Sequence, residues 1–317
     1  MTADGTAGSR DSKLTAVAVI ALLALIVPAW ADYNRTALLI DTPTADVMPA
    51  GAFAISPIVT FPLVASPMNS GTEGGASLYY APISRLQVAL TAYTLKDYVL
   101  GASYQLRGGE ATRVDLLHLL RLSPVLDPWR RRERLSLKEI RNTSLAVGVY
   151  DVGIHSYVSP IGNGKNAWPD WQYYSKDSTY IRPFENFSAF VVASVPVTGL
   201  ARISLGLGRG RFVGYDGVNG YLNTDVFFKG FHQWAFGLFG GLELYLTPQV
   251  ALCAETDSRD ANAGIKSFFG PVSVLVSLCK IEGMIHPGEE PFGRLAFDVS
   301  WQIDNLFGRR STSPQEK

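Results

Sequence analysis

Residues 234–246 read WAFGLFGGLELYL, and taking every second residue separates the run into two faces. Trp234, Phe236, Leu238, Gly240, Leu242, Leu244 and Leu246 form one; Ala235, Gly237, Phe239, Gly241, Glu243 and Tyr245 form the other. A period of two is the strand period, because successive Cβ atoms point to opposite sides of the pleat. The pattern continues after Thr247-Pro248-Gln249. Val250, Leu252, Ala254 and Thr256 stand against Ala251, Cys253, Glu255 and Asp257. Beyond the turn Ser258–Ala261, Asn262, Gly264, Lys266 and Phe268 alternate with Ala263, Ile265 and Phe269. From Pro271 to Lys280, Val272, Val274, Val276 and Leu278 oppose Ser273, Leu275, Ser277 and Cys279. Long antiparallel strands with one face as apolar as lipid predict an outer-membrane β-barrel.

Working outward, the same alternation recurs. It appears over Phe53–Phe61, with Pro57 marking a bulge or edge, and over Ala76–Tyr80 and Leu86–Ala92. Tyr98–Leu106 is the cleanest case in the first half, with Tyr98 and Tyr104 toward the two ends of an aliphatic stripe, as interfacial aromatic girdles are placed. Leu145–Tyr150, Phe187–Val195, Arg202–Gly208 and Arg294–Ile303 complete about twelve strands. An even count puts both termini on one side, expected to be the periplasm. Loops at 68–75, 155–185, 212–230 and 282–293 then fall outside, and tight turns marked by Pro82, Pro196, Pro248 and Pro271 fall inside. The expected architecture is an all-β, antiparallel up-and-down transmembrane barrel spanning 50–307.

Composition agrees with that reading. Of 317 residues only 18% are charged, while 30 are glycine and 11% aromatic. After the first thirty residues no apolar run reaches the roughly 20 residues of a spanning helix, so a membrane location requires strands. Basic and acidic residues number 28 each, which argues against a nucleic-acid partner. Cys253 and Cys279 fall on strands separated by another strand, and are expected to be free thiols.

Residues 1–31 have the layout of a signal peptide: Arg10 and Lys13, the apolar run Leu14–Pro28, then Ala29-Trp30-Ala31. The lead-in, 32–49, shows no period and receives no placement. The tail, 308–317, is polar. The alternation breaks over 108–142, where Val114–Leu122 suggests a short helix and Arg130, Arg131, Arg132 and Arg134 form a basic cluster. This insertion falls on the periplasmic side. Two readings stand: a plug whose arginines meet lumen carboxylates, or a flap with Leu117, Leu119 and Leu120 resting on the membrane surface.

Parity assigns Arg202, Glu243, Glu255, Asp257, Lys266 and Asp298 to the lumen. They could select solutes by charge, or form cross-strand pairs that compensate one another. Inward Gly101, Gly148, Gly206, Gly208, Gly237, Gly241 and Gly264 leave room for water or an inserted segment. Outside, Trp168, Trp171, Tyr173 and Tyr174 could stack on a sugar or pack their own loop. None of His118, His155, His232 and His286 sits in a metal-binding spacing, and His155, Ser156 and Asn163 do not follow the order of a barrel phospholipase. No cofactor and no covalent chemistry are expected.

At Gly241-Leu242-Glu243 and along Glu255–Gly264, with its acidic turn and Asn262-Ala263-Gly264 re-entry, the chain resembles Gram-negative outer-membrane barrels associated with exopolysaccharide export. That resemblance implies the fold and the outer membrane as location, with lipid around it and polysaccharide or small solutes as cargo. The expected role is a pore or export-associated channel. The competing classes are a lipase-like enzyme at the rim and a structural or adhesive barrel binding a partner through its outer loops.

Overall fold

A computed structural model describes residues 38–63, 72–94, 97–108, 143–154, 188–197, 201–213, 226, 236–247, 249–258, 260–285 and 293–303. Twelve strands follow in chain order: β1 (Phe53–Pro62), β2 (Glu73–Ile83), β3 (Leu86–Thr94), β4 (Asp97–Arg107), β5 (Ser144–Ile154) and β6 (Ser188–Val197) make the first half. β7 (Ala201–Gly208), β8 (Gly237–Thr247), β9 (Val250–Thr256), β10 (Ala261–Phe269), β11 (Val272–Cys279) and β12 (Arg294–Ile303) make the second. Each strand pairs antiparallel with its sequence neighbours, and β1 pairs with β12, so the sheet closes on itself. Closure leaves no unpaired edge, the condition a sheet must meet to cross a bilayer. With twelve strands, the start of β1 and the end of β12 lie at the same end of the barrel, Phe53 paired with Ile303.

The alternation sorts side chains as the sequence predicts. Ile55, Val59, Val88, Leu90, Leu100, Val191, Ile203, Leu205, Leu242, Leu244, Leu252, Ile265 and Val299 stand exposed on the outer face. Tyr98 and Tyr104 also point outward at opposite ends of β4, and Trp301 near the end of β12. On the inner face sit Ser56, Thr60, Gln87, Ser103, Ser194, Ser204, Ser273, Ser277 and Ser300, all buried. An oily exterior around a hydroxyl-rich interior inverts a soluble protein and fits lipid outside. Leu242, at the middle of β8, tests it. Leu242→Arg should cost about 2–4 kcal/mol in lipid vesicles, read as a lower urea midpoint of unfolding; an unchanged midpoint would remove Leu242 from the lipid belt.

Three boundaries differ from the sequence reading. β2 begins at Glu73, inside the expected 68–75 loop, because its register with β1 runs to Thr60↔Glu73. The expected loop at 282–293 holds a short helix, Glu282–Ile285, whose Glu282 carboxylate accepts the Ala261 N–H at 3.0 Å. Asp257 lies just past the end of β9, in the turn rather than on the strand.

The inward glycines are filled largely by the barrel's own aromatics. Gly206 faces Phe239 across β7 and β8, and Gly148 faces Phe190 across β5 and β6. In both cases the ring lies where a glycine Cβ would be. Phe212, from a 3-10 turn at Gly210–Phe212 after β7, folds inward over Gly208 and stacks on Phe239 with centroids 4.3 Å apart. Gly208, Gly237 and the turn thus form a dense wall on one side of the bore.

Candidate functional site

The bore is occupied by the chain's own lead-in. Residues 38–48 run inside the barrel before Gly51 turns, with positive φ, into β1. The tip is a tight turn: the Leu39 N–H donates to the Thr42 carbonyl at 2.9 Å, and Leu38 bridges Pro43. Irregular backbone at membrane depth is tolerated only where protein satisfies its polar groups. Glu255 on β9 does most of this. Its carboxylate accepts the N–H groups of Ile40 (2.9 Å), Asp41 (2.8 Å) and Thr42 (3.2 Å) and the Thr42 hydroxyl (2.8 Å). Asn262 on the adjacent β10 donates to the same carboxylate at 2.9 Å and so fixes its orientation.

Other walls hold the rest of the segment. Lys266 Nζ donates to the carbonyls of Leu38 (3.1 Å) and Leu39 (3.2 Å). The Ala45 N–H donates to Ser194 Oγ at 2.9 Å, and Gln105 Nε2 donates to the Ala45 carbonyl at 2.9 Å. The Met48 N–H donates to Gln87 at 3.1 Å. Two ion pairs complete the set. Asp46 meets Arg202 of β7, and Asp41 meets Arg211 of the inward turn at 2.5 Å.

Packing repeats the theme. The interior holds separate apolar clusters, and the segment contributes to each. Leu39 packs with Tyr245, Ala251, Cys253 and Phe268; Ala45 with Phe190, Val192, Phe212 and Phe239; Met48 with Ala52, Ala54, Tyr79 and Ala81. Leu39 seats against Gly241, where a Cβ would strike it. The clusters lie on different arcs of the wall, so the segment ties together surfaces that would otherwise face water.

The bore is not full. A small cavity, connected to solvent, remains between the segment and the wall. Its lining includes Asp41 and Arg211 together with Ser56, Ser77, Tyr79, Thr91, Tyr150 and Asp298. Leu38, Ile40, Ile58, Ala89, Val99 and Leu100 line it as well, so the space is amphipathic, with the ion pair and Asp298 as its charged groups. Among the described residues no group of His, Cys, Asp and Glu is arranged to hold a metal ion.

Arg202, Glu243, Glu255 and Lys266 are buried on the inner face, and Asp298 lines the cavity with its carboxylate accepting from Ser56 Oγ at 2.6 Å. Arg202 lies directly across from Glu243 in the β7–β8 register, a cross-strand pair. Arg202 and Glu255 nevertheless turn to the lead-in, which no pairing of strand residues anticipates. Arg130, Arg131, Arg132 and Arg134, and likewise Trp168, Trp171, Tyr173 and Tyr174, lie outside the described residues, as do all four histidines. Cys253 and Cys279 are free thiols on β9 and β11.

Asp257, buried in the β9–β10 turn, accepts the Asp260 N–H at 2.8 Å. Burial, reinforced by the neighbouring Asp260 and Asp41 carboxylates, pushes its carboxyl up to about 6. A folded-state value above the unfolded one means that ionisation opposes folding above pH 6, and the penalty fades as pH falls toward the unfolded value near 4. Asp257→Asn keeps an acceptor oxygen for Asp260 and should raise thermal stability at pH 8, by roughly 3 kcal/mol at most. The gain should shrink to nothing by about pH 4 in melting curves; a gain independent of pH would contradict the assignment.

A closed up-and-down barrel with an apolar belt, a polar bore and a segment lodged in it has the architecture of outer-membrane proteins. No protein-family model matches the chain, and no curated protein matches it in sequence. Solved structures similar to it include an outer membrane channel from Pseudomonas putida F1 (12% identity, covering 83% of this chain and 100% of that one, TM-score 0.38). Others are the KdgM porin in complex with disordered oligogalacturonate (7% identity, 78% and 98% covered, TM-score 0.37) and outer membrane protein Omp33 of Acinetobacter baumannii (9% identity, 79% and 97% covered, TM-score 0.34).

Proposed function

We propose that this protein is a channel of the Gram-negative outer membrane for small polar solutes or an extended saccharide chain, without cofactor or covalent chemistry. Residues 1–31 are removed as a signal peptide, and both termini lie in the periplasm. The observation that carries the reading is the bore itself: a closed barrel whose inner wall carries hydroxyl and charged side chains, with a small solvent-connected cavity beside a non-covalently held segment. In the state seen, residues 38–48 narrow the path, so passage requires them to shift. Charged groups along the wall then act on the solute as they act on the segment.

Reconstitution into planar bilayers tests this. The full chain should give discrete current steps, infrequent because the segment is well held. Currents should become frequent when the segment is weakened. Silence of the wild type and of every weakened variant would overturn the channel reading in favour of a structural barrel.

A further inference from the structure

We propose that Arg202 and Arg211 form a binding track for solutes carrying two or more carboxylates, and that Asp41 and Asp46 occupy it as an internal competitor. The proposal deepens the channel reading and rests on it for the direction of transport, though not for binding.

Residues 38–48 contain two acids, Asp41 and Asp46, and no base. Each acid meets an arginine: Asp46 the wall residue Arg202, Asp41 the Arg211 of the inward turn. Both arginines are buried, at 4% and 7% exposure. A buried guanidinium is costly unless an anion faces it, and its planar fork suits a carboxylate better than any neutral group. Displacing the segment therefore takes a carboxylate from each arginine. Lys266 also loses the two carbonyls it holds, while Glu255 is the acid that loses donors. The bore gains two positive charges relative to the closed state, since the segment carries a charge of −2. The remaining acids shape where a solute can land. Glu243 lies opposite Arg202 and Asp298 lines the cavity with Arg211, so a solute carboxylate must outcompete the repulsion of these acids to sit at a guanidinium group.

The Arg211 end of the site is reachable, whereas Arg202 and Asp46 lie outside the cavity lining. Asp41 and Arg211 line the open cavity, and the Asp41 side chain is 26% exposed against 9% for its arginine. A solute entering the cavity meets the carboxylate partner before the guanidinium. Two carboxylates on one backbone, five residues apart with Asp41 in the turn at 39–42, describe the competitor, so a flexible polycarboxylate is the class that would replace it.

Tri-glutamate is the probe, with tri-glutamine and inorganic phosphate as controls, added to the detergent-solubilised full chain and followed by titration calorimetry. Asp41→Asn/Asp46→Asn should bind tri-glutamate on the order of tenfold more tightly than wild type, because the competitor has lost its charge. Arg202→Gln/Arg211→Gln should lose that binding. Gel mobility of unheated samples reports whether each variant has formed the barrel, and Arg202→Lys/Arg211→Lys, which keeps the charge, serves if the glutamine pair does not assemble; weakened binding there supports the fork contact. In bilayers, tri-glutamate should raise the opening frequency of wild type. Equal binding by wild type and the asparagine variant, or an equal effect of tri-glutamine, would overturn the proposal. A match by phosphate would overturn the carboxylate assignment. Currents that ignore tri-glutamate would sink this inference alone, whereas silence of every variant in bilayers, with binding intact, would sink the channel reading and leave the site.

Discussion

On the proposed channel reading, Glu255→Ala is expected to turn rare openings into a bore that is open most of the time. The Glu255 carboxylate accepts four hydrogen bonds from the tip of the segment, three from backbone N–H groups and one from the Thr42 hydroxyl. Bonds to a charged acceptor are worth about 1.5–3 kcal/mol each, against which the cost of burying the carboxylate must be set. A net loss of about 3 kcal/mol shifts the equilibrium between lodged and released segment by more than 100-fold. Glu255→Gln keeps one carbonyl oxygen and should fall between. Open probability in planar bilayers is the readout, and no change in the alanine variant would show that the clamp does not hold the segment.

A second large effect is expected at Gly206. Its hydrogen atoms point to the bore, and the Phe239 ring lies over them, with the three nearest atoms to an added Cβ all belonging to that ring. Phe239 is itself pressed against Phe212 and Phe190, so it has nowhere to retreat. Gly206→Leu should prevent barrel assembly, a cost above the roughly 1–3 kcal/mol of ordinary overpacking. Adding Phe239→Ala makes the space and should restore the barrel. The mobility of unheated samples in detergent gels reports the folded form. Assembly of Gly206→Leu alone would show that the ring is not held there.

The fold was legible because alternation is a local signal. In β8 and β11 each residue announces its face by its neighbours, and an error of one residue would expose Leu242 or Val276 to the bore. The strand count and closure followed from the same pattern and from turn residues such as Pro248 and Pro271. The occupied bore was not legible. Residues 38–48 have no period, because they follow neither strand nor helix but a set of partners spread over β3, β4, β6, β7, β9 and β10. A trace of it existed in the composition: Leu38-Leu39-Ile40 is oddly apolar for a free lead-in, and Asp41 and Asp46 stand there without a basic neighbour. The inward glycines pointed the same way, since Gly241 leaves a recess that only a residue from elsewhere, Leu39, fills. Spatial partners two hundred residues away carry no sequence period, so the lumen charges could be assigned to a face but not to a ligand.

The placement of residues 38–48 inside the barrel is tested most directly by thiol labelling. Ala45 is fully buried between Ser194 and the aromatic cluster, whereas Ala50, at the turn into β1, is exposed. In a chain with Cys253 and Cys279 replaced by alanine, Ala45→Cys should react with a small maleimide at least about 100-fold more slowly than Ala50→Cys, and adding Glu255→Ala should remove most of that protection. Equal rates at positions 45 and 50 in the otherwise native barrel would place the segment outside the bore.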